Sequence, residues 1–189
     1  MAGIIRQFIR NNRCVAVIEF ALVVPTFAVV LAGMTDIGNA WYTWSQLEQA
    51  VGAGANYALL QYGKTGVSDA TLASNIGTLV SSSNGGTAAN TTVVINDGAT
   101  YTVTNGTGAA SGTASTACYC LSGSPGHWNW GSPVTCSTAG SPLTCSGSSQ
   151  YTPGKFVTIT ASYGFTATFP FYDFVSASTI TASAAVQTQ

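Results

Sequence analysis

The stretch VAVIEFALVVPTFAVVLAGMT, residues 15–35, decides the fold of this chain. As an α-helix it would be about 31 Å long, which is enough to cross a hydrocarbon core of about 30 Å. Glu19 is the one charged residue within it, and Pro25 is tolerated where neighbouring groups satisfy the freed carbonyls. We therefore interpret residues 15–35 as a transmembrane helix.

The residues before this span are basic. Arg6, Arg10 and Arg13 precede it, and no acidic residue accompanies them. An excess of arginine on one side keeps that side in the cytoplasm, so residues 1–14 are predicted to be a cytoplasmic leader. A cleaved secretory signal is the alternative, but its apolar core is usually shorter and would not carry an acid near its start.

The composition of the whole chain excludes one class of partner. Only 6% of the 189 residues are charged, against about 25% in ordinary soluble domains. Beyond residue 13 the basic residues are Lys64 and Lys155 alone, and the net charge is −1. Such a chain cannot neutralise a run of phosphates, so we expect no nucleic-acid binding.

The helical pattern continues past the span. Apolar residues recur every three or four positions through residues 36–63, which predicts an extracytoplasmic continuation of the helix. Trp41, Tyr42 and Trp44 fit an aromatic belt at the membrane surface, the buried face of the helix, or both roles at once. Asp36 is expected at the outer edge of the membrane. The predicted face consists of Ile37, Trp41, Trp44, Leu47, Val51, Ala55, Ala58 and Tyr62.

Residues 64–189 are predicted to form an extracytoplasmic α+β domain. SDATLASNIGTLV at 68–80 has the pattern of a short helix with Ser68 as its N-cap, and its inward residues would be Leu72, Ile76, Leu79 and Val80. Segments 81–90 and 105–155 are expected to be loops. Four strands are predicted at TTVVI (91–95), TYTVT (100–104), VTITASY (157–163) and STITASAAV (178–186), with a hairpin turn at NDGA (96–99). The predicted fold is thus a long N-terminal helix packed against a small antiparallel sheet.

Four cysteines lie in the loop at 105–155: Cys118, Cys120, Cys136 and Cys145. An even number of cysteines outside the cytoplasm predicts two disulfides. A Cys118–Cys120 bond would close a very small ring, so each of these two is expected to pair with Cys136 or Cys145, and both of those pairings stay open. Zinc with His127 is the competing interpretation, although no paired CxxC is present.

The same loop contains GHWNW, with His127, Trp128 and Trp130. These side chains are candidates for binding a sugar or another subunit, or they pack beneath the disulfides. No nucleophile and acid are grouped with the histidine. We therefore expect no catalytic residues, no enzyme activity, no bound metal and no cofactor.

RCVAVIEFALVVP at residues 13–25 resembles the start of the TadE-like pseudopilins of the tight adherence (Tad) secretion and pilus system. That resemblance implies a pilin-like fold and cleavage between Cys14 and Val15 by a prepilin peptidase. Glu19 would be the fifth residue of the mature chain, with Phe20 after it. The family usually has glycine where this sequence has Cys14.

The resemblance also implies a function and a location. The chain would be a minor pilin-like structural subunit for pilus assembly and surface attachment. It would cross the bacterial inner membrane once, with its C-terminal domain periplasmic or extracellular in a pilus. Its partners would be other pilin-like subunits and the assembly platform.

In that setting Glu19 would pair with the amine of Val15 in a neighbouring subunit. An acid near the membrane edge that has no partner is the alternative interpretation of Glu19. The alternative function is a permanently membrane-anchored extracytoplasmic binding module that recognises a surface glycan or protein.

Overall fold

The computed structural model describes residues 12–82, 89–136, 145, 152–169, 175–176 and 178–188. The chain divides into two compact units. The first comprises Met1–Trp41 with Thr166–Ser176, and the second comprises Tyr42–Phe165 with Ala177–Gln189. One helix runs through both.

This helix, α1, extends from Asn12 to Gln61 and contains Pro25. The predicted long helix is therefore confirmed. It ends where Gly63 adopts a left-handed conformation with φ of 73°, which glycine reaches without a steric penalty. Of the described residues, α1 from Val17 onward is the one helix that is long and apolar enough to cross a membrane.

The second helix, α2, spans Asp69–Ser82. Ser68 caps it as predicted, because its Oγ accepts a hydrogen bond from the Thr71 amide at 3.2 Å. Leu79 is only half-buried, so its inward assignment was partly wrong. The buried residues of α2 include Leu72, Ile76 and Val80.

The second unit contains seven described strands: β1 (Asn90–Ile95), β2 (Ala99–Thr104), β3 (Thr107–Ser111), β4 (Ser122–Ser124), β5 (His127–Asn129), β6 (Phe156–Gly164) and β7 (Thr179–Gln187). Five of them form an antiparallel sheet, the other layer of this unit, in the order β3-β2-β1-β6-β7. The hairpin of β4 and β5 is separate and lies in the disulfide loop. The α+β arrangement is as predicted.

The prediction of four strands and a loop throughout 105–155 was wrong. The sequence TGAAS of β3 has no alternation of large apolar and polar residues, and all of its residues are exposed. It joins the sheet through backbone bonds to β2, after a turn at Asn105 and Gly106 with φ values of 50° and 80°. An Asn-Gly pair favours this two-residue hairpin turn. This pair was the sequence feature that could have predicted β3.

The core of the second unit forms where α1 meets α2 and the sheet. A Cβ built on Gly54 would lie 2.7 Å from Val80 Cγ2 and 3.2 Å from both Ile76 Cγ2 and Ile159 Cδ1. The lack of a side chain at Gly54 is thus what allows the three elements to approach closely. The neighbouring buried residues of α1 are Leu47, Ala50, Val51, Ala55 and Ala58.

The predicted apolar face of α1 is buried only from Leu47 onward. Trp41 is 68% exposed, Tyr42 63% and Trp44 39%, so the interpretation in which these aromatic side chains form a buried face is wrong. The aromatic belt at the membrane surface stays a prediction.

The C-terminal end of the sheet is fixed beside the end of α1. The Thr188 amide and hydroxyl both donate to the Lys155 carbonyl oxygen, at 2.8 and 3.1 Å. Burial raises the pKa of the Tyr62 phenol, the Asp69 carboxylate adds to the rise, and a hydrogen bond with Thr188 opposes it. The last strand is thereby tied to the preceding loop and to the helix end.

Two glycines of α1 provide a matched test of this packing. A Cβ on Gly52 would meet nothing within 4 Å, so Gly52→Ala should stabilise the helix by up to about 1 kcal/mol. Gly54→Ala gains the same propensity but overpacks the core, which costs about 1–3 kcal/mol. Thermal unfolding of the full chain in detergent should give a higher Tm for Gly52→Ala than for Gly54→Ala. Equal Tm values would contradict the close packing at Gly54.

Candidate functional site

The motif at the start of α1 is helical and its acid is exposed. Cys14 and Val15 lie within α1, while their side chains fall outside the described residues. Glu19 is exposed, and Phe20 is 70% exposed beside it. In this monomer neither residue is used to build the core, which leaves both available to a second molecule or to lipid.

A second acid, Asp36, lies just past the predicted span and is fully buried. Its Oδ1 accepts a hydrogen bond from the Thr168 amide at 2.8 Å, and its Oδ2 accepts one from the Phe169 amide at 3.0 Å. Two consecutive backbone donors therefore share one carboxylate, and bonds to an ionised acceptor are stronger than neutral ones. The loop after β6 is fixed to the helix at this point.

Two small residues are buried one turn before Asp36. Ala32 and Gly33 are buried with Asp36 on one face of α1, because positions three and four apart lie on the same side of a helix. The Thr35 hydroxyl donates a hydrogen bond to the Leu31 carbonyl oxygen of the same helix at 2.8 Å. The sequence placed Asp36 only at the membrane edge. The sequence signal that could have indicated this contact was an acidic residue one helical turn after an Ala-Gly pair.

The four loop cysteines form two disulfides, as predicted. Of the pairings left open, the structure has Cys118–Cys136 and Cys120–Cys145. The zinc interpretation is excluded for these sulfurs, because a sulfur in a disulfide has no thiolate to offer a metal. Within the described part of the chain, no three His, Cys, Asp or Glu side chains come together as a metal site.

The residues of GHWNW are divided between packing and solvent. Trp130 meets Tyr119 edge to face, with ring centroids 5.7 Å apart, so it packs against the residue between Cys118 and Cys120. Trp128 is half-buried, and its Nε1 is buried without a hydrogen-bond partner. His127 is exposed on β5. The sequence had treated the three side chains as one candidate surface, and the structure separates Trp130 from it.

His127 lines a cleft of about 290 Å³ in the second unit. Glu48 of α1 lines the same cleft, as do the hydroxyl residues Thr160, Thr181 and Ser183 of β6 and β7. The cleft therefore presents a carboxylate, an imidazole and three hydroxyls, all able to hydrogen-bond. The sequence did not predict that Glu48, His127 and these hydroxyl residues line one cleft, because they come from segments far apart in sequence.

These features define a protein with one apolar helix able to cross a membrane and a disulfide-bonded α+β domain. Residues 15–56 match the family model described as TadE-like protein, which confirms the TadE-like resemblance. The matched segment includes Glu19 and Asp36. Comparison with curated proteins and with solved structures found no match.

Removal of the Asp36 carboxylate tests its role. Asp36→Ala leaves two amides without their acceptor, and each bond to a charged group contributes about 1.5–3 kcal/mol. We expect hydrogen exchange at the Thr168 and Phe169 amides to accelerate roughly tenfold or more. Mass spectrometry of the full chain in detergent measures it.

Asp69→Ala is the control for this exchange experiment, because Asp69 lies in the first turn of α2, whereas the Thr168 and Phe169 amides donate to Asp36. Unchanged exchange at Thr168 and Phe169 in Asp36→Ala would refute the described hydrogen bonds.

Proposed function

We propose that this protein is a pilin-like structural subunit that takes part in Tad pilus assembly and surface attachment, as a minor subunit. The observation that carries the proposal is the TadE-like match over residues 15–56, which includes an exposed glutamate near the start of an apolar helix. The protein is anchored by one membrane pass, with the leader in the cytoplasm and the α+β domain outside.

The position of Glu19 supports a role in assembly. An unpaired charge deep in a bilayer costs several kcal/mol, and Glu19 is only four residues from Val15, about 6 Å along a helix. At that depth the carboxylate stays near water. It is close enough to the membrane edge to meet the amine of a neighbouring subunit.

That amine arises by processing of the leader. A prepilin peptidase adds water across the peptide bond between Cys14 and Val15, which leaves a carboxylate on Cys14 and an amine on Val15. The three arginines leave together. Their loss weakens attraction to anionic lipid by about 1 kcal/mol per basic residue, and it prepares α1 to leave the membrane.

The rest of the chain supports a subunit with an additional role outside the membrane. Main pilins of this family are little more than the helix, whereas here a domain with its own core and two disulfides follows. Disulfides persist in extracytoplasmic compartments. A domain of this size suits a minor subunit better than a repeating fibre subunit.

Processing can be tested at Cys14. In cells with the complete Tad system, intact mass should show loss of residues 1–14. Cys14→Gly restores the residue usual in the family and should speed or complete the cleavage. If neither the natural sequence nor Cys14→Gly is cut, the peptidase step is wrong and the result favours the permanently anchored binding module.

Assembly can be tested at Glu19. Glu19→Gln keeps the side-chain volume and removes the charge, so cleavage should proceed while the chain recovered with sheared filaments or with the assembly platform falls. If the ion pair contributes about 1.5–3 kcal/mol, the association constant drops tenfold or more.

Glu48→Gln is the matched control, because it removes an exposed carboxylate from the same helix beyond the span. It should assemble normally. Normal assembly of Glu19→Gln would mean that the carboxylate has no role in subunit pairing.

The cleft at His127 favours a second candidate function, a permanently anchored binding module that recognises a surface glycan. Its hydrogen-bonding groups suit a ligand rich in hydroxyls, and none of the described residues that line it is Lys or Arg. The exposed edge of β5 leaves His127 open to solvent. This function requires no cleavage of the leader.

A glycan array separates this candidate from the first. His127→Ala should abolish binding of any glycan that the wild-type chain captures, because it removes one of the two ionisable groups in the cleft. Thr107→Ala, at an exposed position of β3, should bind as wild type does. Absence of glycan binding by the wild-type chain would reject the glycan module.

A further inference from the structure

One side of the membrane-spanning segment is covered by protein. Ala32 and Gly33 belong to the predicted span, yet both are buried. The compact unit that contains this part of α1 is completed by Thr166–Ser176. Within it, the Thr168 and Phe169 amides donate to Asp36 on the same helix face. The chain after β6 therefore returns to the end of the span.

The buried face of α1 also extends toward the N-terminus from Asp36. Ala32 lies four residues before Asp36, which is about 6 Å along the helix axis. Large apolar side chains on the other faces of the same turns are exposed: Leu31 is 49% exposed and Met34 is 66% exposed. One face of the helix end thus contacts protein, while its other faces suit lipid.

The bonding of Asp36 has a physical reason in such a place. A loop amide in water bonds to solvent, but near hydrocarbon each unsatisfied backbone group costs several kcal/mol. Asp36 satisfies two consecutive amides with its two oxygens, and these bonds also compensate the burial of its charge. The next residue, Pro170, has no amide proton to satisfy.

We propose that the loop at Thr166–Phe169 lies in the lipid interface beside α1 and is a second membrane contact of this protein. Phe169 is 38% exposed, and aromatic residues favour the headgroup level of a bilayer. Its partner is the boundary between headgroups and acyl chains. The contact is independent of leader cleavage and of subunit pairing through Glu19.

Fluorescent labels in vesicles test this placement. The full chain, with Cys14→Ser to remove the remaining thiol and the disulfides intact, receives one cysteine at Thr168, Val30 or Asn105. An environment-sensitive dye is attached to that cysteine in vesicles of phosphatidylethanolamine and phosphatidylglycerol. Thr168→Cys keeps both the amide and Phe169. Lipids carrying a nitroxide at the headgroup or in the acyl chain then report depth.

The label at 168 should emit at shorter wavelength than the label at 105 and lose emission to the headgroup nitroxide. The label at 30, in the span, should respond most to the acyl-chain nitroxide. Asp36→Asn leaves one acceptor oxygen where two were needed, so it should shift the emission at 168 toward that at 105.

An unmodified chain provides the second measurement. A lipid with a photoreactive group near its headgroup should form adducts with the chymotryptic peptide that contains Thr166–Phe169 as well as with the span. Emission at 168 equal to that at 105, with adducts confined to the span, would overturn the proposal. Lack of quenching at 30 would overturn it together with the membrane span, whereas failure at 168 alone leaves the proposed pilus function intact.

Discussion

The structure depends on one constraint: a single helix must satisfy two different surroundings. Up to Ile37, α1 exposes large apolar side chains, from Val17 at 67% to Ile37 at 56%. From Leu47 it buries small and medium residues against α2 and the sheet. Except at its ends and around Pro25, the backbone groups of α1 can bond inside the helix, which suits a lipid surrounding. Further along, the same helix presents Gly54 to the core of the second unit.

The sequence was sufficient for features that depend on strong local patterns. The apolar run predicted α1, Ser68 predicted the start of α2, and alternation predicted β1, β2, β6 and β7. Weak patterns failed: β3 has no apolar face, and its place is set by the turn at Asn105 and Gly106. The exposure of Trp41 did not follow from the pattern either. Periodicity identifies the apolar face of a helix, but it does not show where along the helix the rest of the domain stops packing on that face.

The candidate sites also differ in whether a local sequence pattern reveals them. Glu19 could be found because a charge in an apolar run is conspicuous, and its family motif is local. Asp36 could not be assigned a role, because its partners are backbone amides that any sequence would supply. The cleft at Glu48 and His127 combines residues from a helix, a hairpin and two strands. Only tertiary structure brings such groups together, and neither composition nor spacing contains that information.

The bonds from Thr168 and Phe169 to Asp36 join positions separated by 132 and 133 residues. Closing so long a loop is entropically costly unless the intervening chain is already folded. Both partners therefore meet late, after β6 has paired with β1 and the C-terminal part of the chain has been made. Until then the Asp36 carboxylate lacks both donors. A chain truncated before Thr168 would leave this carboxylate without the two amides that it accepts from in the complete fold.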